Sequence, residues 1–390
     1  MGLPGSEPVL RKIDKTTKKI KSLDGLRALS ILLVLFDHGK ASMPEYITST
    51  FFYEVLSNSQ LGVRIFFIIS GYLITRLLLE EKQKHGEINL KAFYKKRVLR
   101  IFPVFYLYIL VIILFQLVLK DVFYWKDILI AALFLWNFKL LITGERSGEM
   151  VDDGFRNPNK DGWFLLGHFW TLAMEEQFYL MWPFVMKKVK TKKNLIKVCI
   201  AVIIIMPLLR VLVYYTVPTV RGQIDNMIFT SCDSLLLGCL MAILEKTSYK
   251  DRMIRILADT RVTICSAAFI FVASPYLILA YKGAYNLTIG MTLMNIGIAS
   301  LIMFSIHRNN FWSQLLNLKT VATVGVLSYS IYIWQQLFLF TNVQWMNVTI
   351  AGHKFYLNQF PQNFILVALV SCASYYLYEK QFLKLKNRIK

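Results

Sequence analysis

Apolar runs of membrane-spanning length recur along this chain of 390 residues, near 26–42, 61–79, 98–119, 127–143, 170–186, 195–217, 227–245, 262–281, 286–306, 320–341 and 362–379. A bilayer core about 30 Å thick needs roughly 20 predominantly apolar residues in a helix, and these windows meet or approach that length. A soluble domain buries only one stripe of each helix, so it has no room for so much continuous apolar surface. A hydrophobic share of 56%, with 28 Phe, agrees. The expected fold is all-α, a polytopic membrane helical bundle. Soluble enzymes, disordered chains and disulfide-stapled scaffolds are excluded. The five cysteines (Cys199, Cys232, Cys239, Cys265 and Cys372) fall in apolar segments without C-x-x-C or metal-ligand spacing, and read as small hydrophobes.

A net charge of +21 would suit a nucleic-acid binder, but here the charge sits in short loops, as the positive-inside rule expects of cytoplasmic connections. Met1–Arg27 and Glu80–Arg100 each carry seven Lys or Arg, Lys187–Lys197 six, and Lys246–Arg261 and Glu379–Lys390 five each. Met43–Gln60 carries none, and Gly144–Gly167 has three against five acids. No nucleic-acid partner is expected; membrane lipid is. Strict alternation of sides fails between Arg100 and Lys187, where three windows lie between two cytoplasmic loops. The shortest, 127–143, carries Asn137 and Lys139 and is expected not to cross. About ten crossings remain, with both termini cytoplasmic, in a bacterial inner membrane. Residues 1–22 are polar and Lys-rich with no cleavage site after them, so the first span is expected to stay in the mature protein. The chain divides into this segment, a transmembrane domain over 23–380 and a basic cytoplasmic tail over 381–390. Gly144–Gly167 is the longest polar loop.

Ionisable side chains within the spans are costly to bury and mark candidate function. His38 lies eleven residues after Arg27. Eleven helical steps return a side chain to within about 20° of the same face, roughly 16 Å along the axis. Asp37 points about 100° away from His38. Arg97 and Arg100 are one turn apart, so two guanidiniums could share a phosphate; Arg64 opens the second span. In G-H-F-W-T-L-A-M-E-E-Q-F-Y-L-M-W-P (167–183), Glu175 and Glu176 stand as adjacent carboxylates in an apolar run, with Tyr179 one turn from Glu175. His or Arg of the first span are their natural partners. Asp233 and Glu379 read as structural hydrogen bonders.

Five stretches in order resemble the acyltransferase-3 family of integral membrane O-acyltransferases. They are L-D-G-L-R followed by ten residues and His38, F-F-I-I-S-G-Y-L-I (66–74), R-V-L-R-I-F-P (97–103), H-F-W-T-L-A-M-E-E-Q-F-Y-L-M-W-P (168–183) and S-Y-S-I-Y-I-W (328–334). The resemblance implies acyl transfer, usually of acetyl, from cytoplasmic acyl-CoA to a hydroxyl of a glycan or lipid-linked saccharide, with no metal. It implies a catalytic core in the Arg–ten residues–His element, matched by Arg27 and His38; Glu175 and Glu176 are expected to join it, one of them orienting or charge-stabilising His38. Arg97, Arg100 and Arg64 are expected on the donor side, and His168, Trp170 and Tyr179 at the substrate. No hydrolase-like segment is expected after the last span. Two departures from the family pattern stand out. Gln335 and Gln336 occupy the place where many relatives carry His, and Ser231 that of an Arg two positions before Asp233. A general base of near-neutral pKa suits the chemistry, because the acceptor alcohol ionises far above pH 7. A non-enzymatic glycan or lipid exporter would also need buried charge and a cavity; acyl-CoA turnover separates the two.

Overall fold

The computed structural model describes residues 20–118, 125–144, 165–281, 283–339, 347–350 and 353–389. Its first helices are α1 (Lys21–His38), α2 (Ser59–His85) and α3 (Leu90–Val118). The short α4 (Trp125–Ala132) and α5 (Lys139–Thr143) follow, then α6 (Phe169–Lys188), α7 (Lys192–Thr216), α8 (Asp233–Leu244) and α9 (Lys250–Leu257). Next come α10 (Thr260–Ala268), which runs through a π turn to Tyr281, α11 (Met291–His307) and α12 (Lys319–Leu339). A hairpin of β1 (Asn347–Ile350) and β2 (His353–Tyr356), antiparallel with Asn347 opposite Tyr356, is the one departure from helix among the described elements. The chain ends in α13 (Gln362–Ala373), a π turn over Ser374–Glu379, and α14 (Lys380–Asn387).

Among the described residues five helical stretches are long and apolar enough to cross a membrane: Phe51–His85, Leu90–Val118, Lys192–Thr216, Thr260–Tyr281 and Gly283–His307. Burial sorts them. The most apolar part of Phe51–His85 is 72% buried in the protein, that of Lys192–Thr216 only 17%. Bare apolar side chains such as Ile204, Leu208 and Leu212 on α7 gain nothing from water, so that helix faces lipid. The protein is an integral membrane helical bundle.

At the centre α1 packs on α2 and α12, and α2 on α8. Hydrophobicity drives little helix association inside lipid, so close backbone approach at small residues takes over. A Cβ at Gly71 of α2 would meet the Leu235 carbonyl oxygen, and one at Gly238 of α8 the Ile68 carbonyl oxygen. The two glycines let these helices touch backbone to backbone.

The 127–143 window is broken. Phe134 takes a left-handed φ of 56°, which stops α4, and its carbonyl accepts from Gln177 Nε2 at 2.8 Å. At 8 and 5 residues, α4 and α5 reach about 12 and 8 Å, far short of a bilayer. Its polar residues have partners. Asn137 exchanges two 2.9 Å hydrogen bonds with Gln177 of α6, and buried Lys139 pairs with Asp127 at 3.0 Å. The basic stretch after the last apolar run forms the helix α14, laid against α3. Most of the polar N-terminal segment and of the Gly144–Gly167 loop lies outside the described residues.

Candidate active site

Antiparallel packing brings the chemistry together. Asp37 at the end of α1 accepts from Ser57 Oγ (3.2 Å) and from the Ser59 amide (3.4 Å), so α2 starts beside the end of α1 and runs back along it. This puts Ser70 of α2 level with Arg27. A narrow cavity of about 110 Å³ opens there, lined by Arg27, Ser70, Arg97, Arg100, Thr171, Glu175, Tyr179, Tyr329 and Tyr332, among others. Its wall holds three guanidiniums and one carboxylate. Ser70 Oγ donates to Glu175 Oε1 at 2.6 Å, the Arg97 guanidinium lies over the Tyr179 ring at 4.3 Å, and Arg27 Nη1 is 4.0 Å from Asp24 Oδ1. The positive excess suits an anionic group.

Thr171 Oγ1 and the Tyr332 hydroxyl, 2.7 Å apart, close the other end; Tyr332 also donates to the His168 carbonyl at 2.9 Å. One turn further along α12, Gln335 Oε1 lies 2.8 Å from His38 Nδ1. The same amide donates Nε2 to Gln336 Oε1 at 3.4 Å, which turns its oxygen toward His38 and makes Nδ1 the donor. Nε2 of the imidazole is then the ring's proton acceptor. His38 therefore lies beyond the Thr171–Tyr332 pair and not on the cavity wall itself.

Of the residues expected from sequence, Arg27, Arg97, Arg100, Glu175 and Tyr179 share the cavity. The partner expected for His38 is corrected: its hydrogen bond goes to Gln335, while Glu175 answers to Ser70 and stands among the arginines. Glu176 keeps its Oε1 buried without a hydrogen-bond partner among the described residues. Arg64 does not join the donor-side arginines. It is buried and donates to Asn295 Oδ1 of α11 at 3.3 Å, because its turn of α2 faces α11. His168 is buried among Tyr108, Phe169 and Tyr332, with ring centroids 4.5–5.5 Å away, and Trp170 meets Phe67 edge to face at 6.0 Å. Neither lines the cavity.

Sequence reasoning missed Ser70, Thr171, Tyr332 and Gln335 as site residues, although all but Gln335 lie within stretches quoted for the family resemblance. It also left Asp233 without a partner. That partner is Arg210 of α7, fully buried, with Nη2 2.5 Å from Asp233 Oδ2 and Nε donating to the Thr230 carbonyl. The signal was an arginine in the middle of an apolar span. Glu379 accepts from Ser330 and Ser374, as a structural hydrogen bonder would. No three His, Cys, Asp or Glu side chains gather as a metal site among the described residues.

The chain is 28% identical over 341 residues to the peptidoglycan O-acetyltransferase OatA of Listeria monocytogenes, covering 81% of this chain and 49% of that protein. It is 26% identical over 368 residues to the O-acetyltransferase OatA of Staphylococcus aureus, covering 91% and 56% respectively. The chain thus spans about half the length of the curated relatives it matches. No solved structure matches it. A family model described as an acyltransferase domain matches residues 20–379, nearly the whole chain, and on that match the chain belongs to the acyltransferase-3 family.

Proposed function

We propose that the chain transfers an acyl group, acetyl in the simplest case, from cytoplasmic acyl-CoA to a hydroxyl of a cell-envelope glycan. Peptidoglycan is the acceptor named for the Listeria relative and is the acceptor class proposed here. The protein sits in the bacterial cytoplasmic membrane with both termini and the Arg97–Arg100 end inside, since the Lys- and Arg-rich loops gather there.

One observation carries the reading: a cavity lined by three guanidiniums ends at Tyr332, one turn of α12 from the Gln335 that engages Nδ1 of His38 and leaves Nε2 as proton acceptor. Arg97 and Arg100 receive donor phosphates, with Arg27 deeper in. Glu175, held by Ser70, fixes the guanidiniums around it. The thioester end of the donor passes the Thr171–Tyr332 pair to reach His38. Nε2 of His38 takes the proton of the acceptor hydroxyl as its oxygen attacks the thioester carbonyl carbon. The C–S bond then breaks, and the proton passes from His38 to the departing thiolate, leaving the glycan ester and CoA. A water-poor path keeps the thioester from hydrolysis.

The test is His38→Ala in purified protein reconstituted in lipid, with acetyl-CoA and a muropeptide acceptor. Transfer is expected to vanish while CoA binding and helical content stay as in the wild type. Wild-type turnover by that variant would end the assignment of His38.

A further inference from the structure

The helix α14 (Lys380–Asn387) lies beyond residues 20–379, the part of the chain that the family model matches. It nevertheless packs along α3, the helix that supplies Arg97 and Arg100. Phe382 shares a groove of about 380 Å³ with Val98, Leu99 and Phe102 of α3. Lys386 follows Phe382 by four residues and so stands on the same face, one turn on. The charged groups acting on Lys386 are Arg100, Arg97 and Lys96, all cations. None of these four has an acidic side chain within ion-pair distance among the described residues. Half burial and these neighbours push the Lys386 ammonium down to about 8. Glu175 partly balances Arg97 and Arg100, but the charges acting on Lys386 are all positive, so its ammonium is destabilised until an anion arrives.

We propose that Lys386 is a phosphate ligand of the acyl-CoA donor, completing at the cavity mouth the cation set begun by Arg97 and Arg100. This rests on the donor assignment made above. Arg97 and Arg100 face both the cavity and Lys386, so a phosphate bound between them leaves the rest of the donor free to enter. The adjoining apolar groove raises one rival with the same chemistry, the phosphate of an anionic phospholipid whose acyl chain would lie along α3.

The experiment uses full-length protein in phosphatidylcholine nanodiscs, and in parallel in nanodiscs containing phosphatidylglycerol. KM and kcat for acetyl-CoA and Kd for CoA itself are measured for wild type, Lys386→Gln, Lys386→Arg and Lys384→Gln. Loss of one charge-assisted contact is expected to raise KM and Kd about tenfold in Lys386→Gln, with kcat kept. Lys386→Arg restores both, and Lys384→Gln, on a different face of α14, matches wild type. Unchanged KM and Kd in Lys386→Gln overturn the inference and leave the proposed donor standing. A Lys386→Gln defect confined to stabilisation by phosphatidylglycerol, with CoA affinity intact, also overturns it in favour of a lipid headgroup. A wild type that neither binds CoA nor turns over acetyl-CoA removes the donor assignment itself, and this inference with it.

Discussion

Replacing Gln335 with Leu tests the proposed base through the hydrogen bond at its Nδ1. The wild-type amide holds His38 Nδ1 at 2.8 Å and is itself turned by Gln336. Leucine has nearly the same reach and volume but cannot accept, so the ring loses both its anchor and its fixed tautomer. A neutral hydrogen bond contributes about 0.5–1.5 kcal/mol, and one to a charged partner about 1.5–3. The imidazole carries charge only while it holds the acceptor's proton, so the larger figure applies in the transition state. At about 1.4 kcal/mol per tenfold, kcat should fall roughly 10- to 100-fold. KM for acetyl-CoA should not move, because the amide stands one turn past the end of the cavity. The measurement is steady-state transfer from radiolabelled acetyl-CoA to a muropeptide by protein in nanodiscs. In a His38→Ala background the same change should add nothing further, since both act through one group. A kcat within twofold of wild type, in protein that binds CoA normally, would refute the role given to Nδ1.

Three further outcomes follow. Arg210→Met leaves Asp233 buried and uncompensated and should cost about 3–5 kcal/mol, read as a lower thermal midpoint in detergent; adding Asp233→Leu should return most of it. Gly238→Val drives a branched side chain against the Ile68 carbonyl and should destabilise by about 1–3 kcal/mol or more, read in the same assay. Lys386, held near 8, faces Arg100, Arg97 and Lys96. Below that pH Lys386 is cationic and holds phosphate, and above it the charge is lost. CoA affinity should therefore weaken as pH rises from 7 to 9 in wild type and stay flat in Lys386→Gln.

Fold class was legible because membrane solvation acts on composition directly: a run such as Val262–Ala280 has no soluble alternative. The break in 127–143 was legible for a related reason, since Asn137 and Lys139 need polar partners that lipid does not offer; they found Gln177 and Asp127. The backbone contact of α2 with α8 was not legible. It depends on Gly71 and Gly238 facing each other, and a single sequence does not reveal which glycines meet. The site divides along the same line. Helical periodicity alone put Arg27 and His38 on one face, because that relation lies within a single element. What sits opposite each of them is a relation between elements. There the sequence argument paired His38 with a carboxylate on grounds of charge, and the packing instead set it against Gln335, a residue read only as a missing histidine.

That substitution has a physical consequence for the proposed chemistry. A carboxylate against Nδ1 would be a permanent charge buried some 16 Å from the guanidiniums around Arg27, too far for close pairing and costly without it. Glu175 avoids this by standing among those guanidiniums with Ser70 as its donor, so the negative charge is placed where the positive charge already is. At the imidazole end the ring's hydrogen bond goes to the neutral Gln335, and the neighbouring carboxylate of Asp37 is turned to Ser57 and the Ser59 amide. A neutral amide can fix the tautomer without holding the ring permanently as imidazolium, which is what a base that must take up and release a proton in each cycle requires. Guanidiniums at one end of the path and a neutral hydrogen bond to the imidazole at the other thus separate two tasks, holding a phosphorylated donor and moving a proton. The kinetic signature is that changes around Arg97 act on donor KM and changes around His38 on kcat.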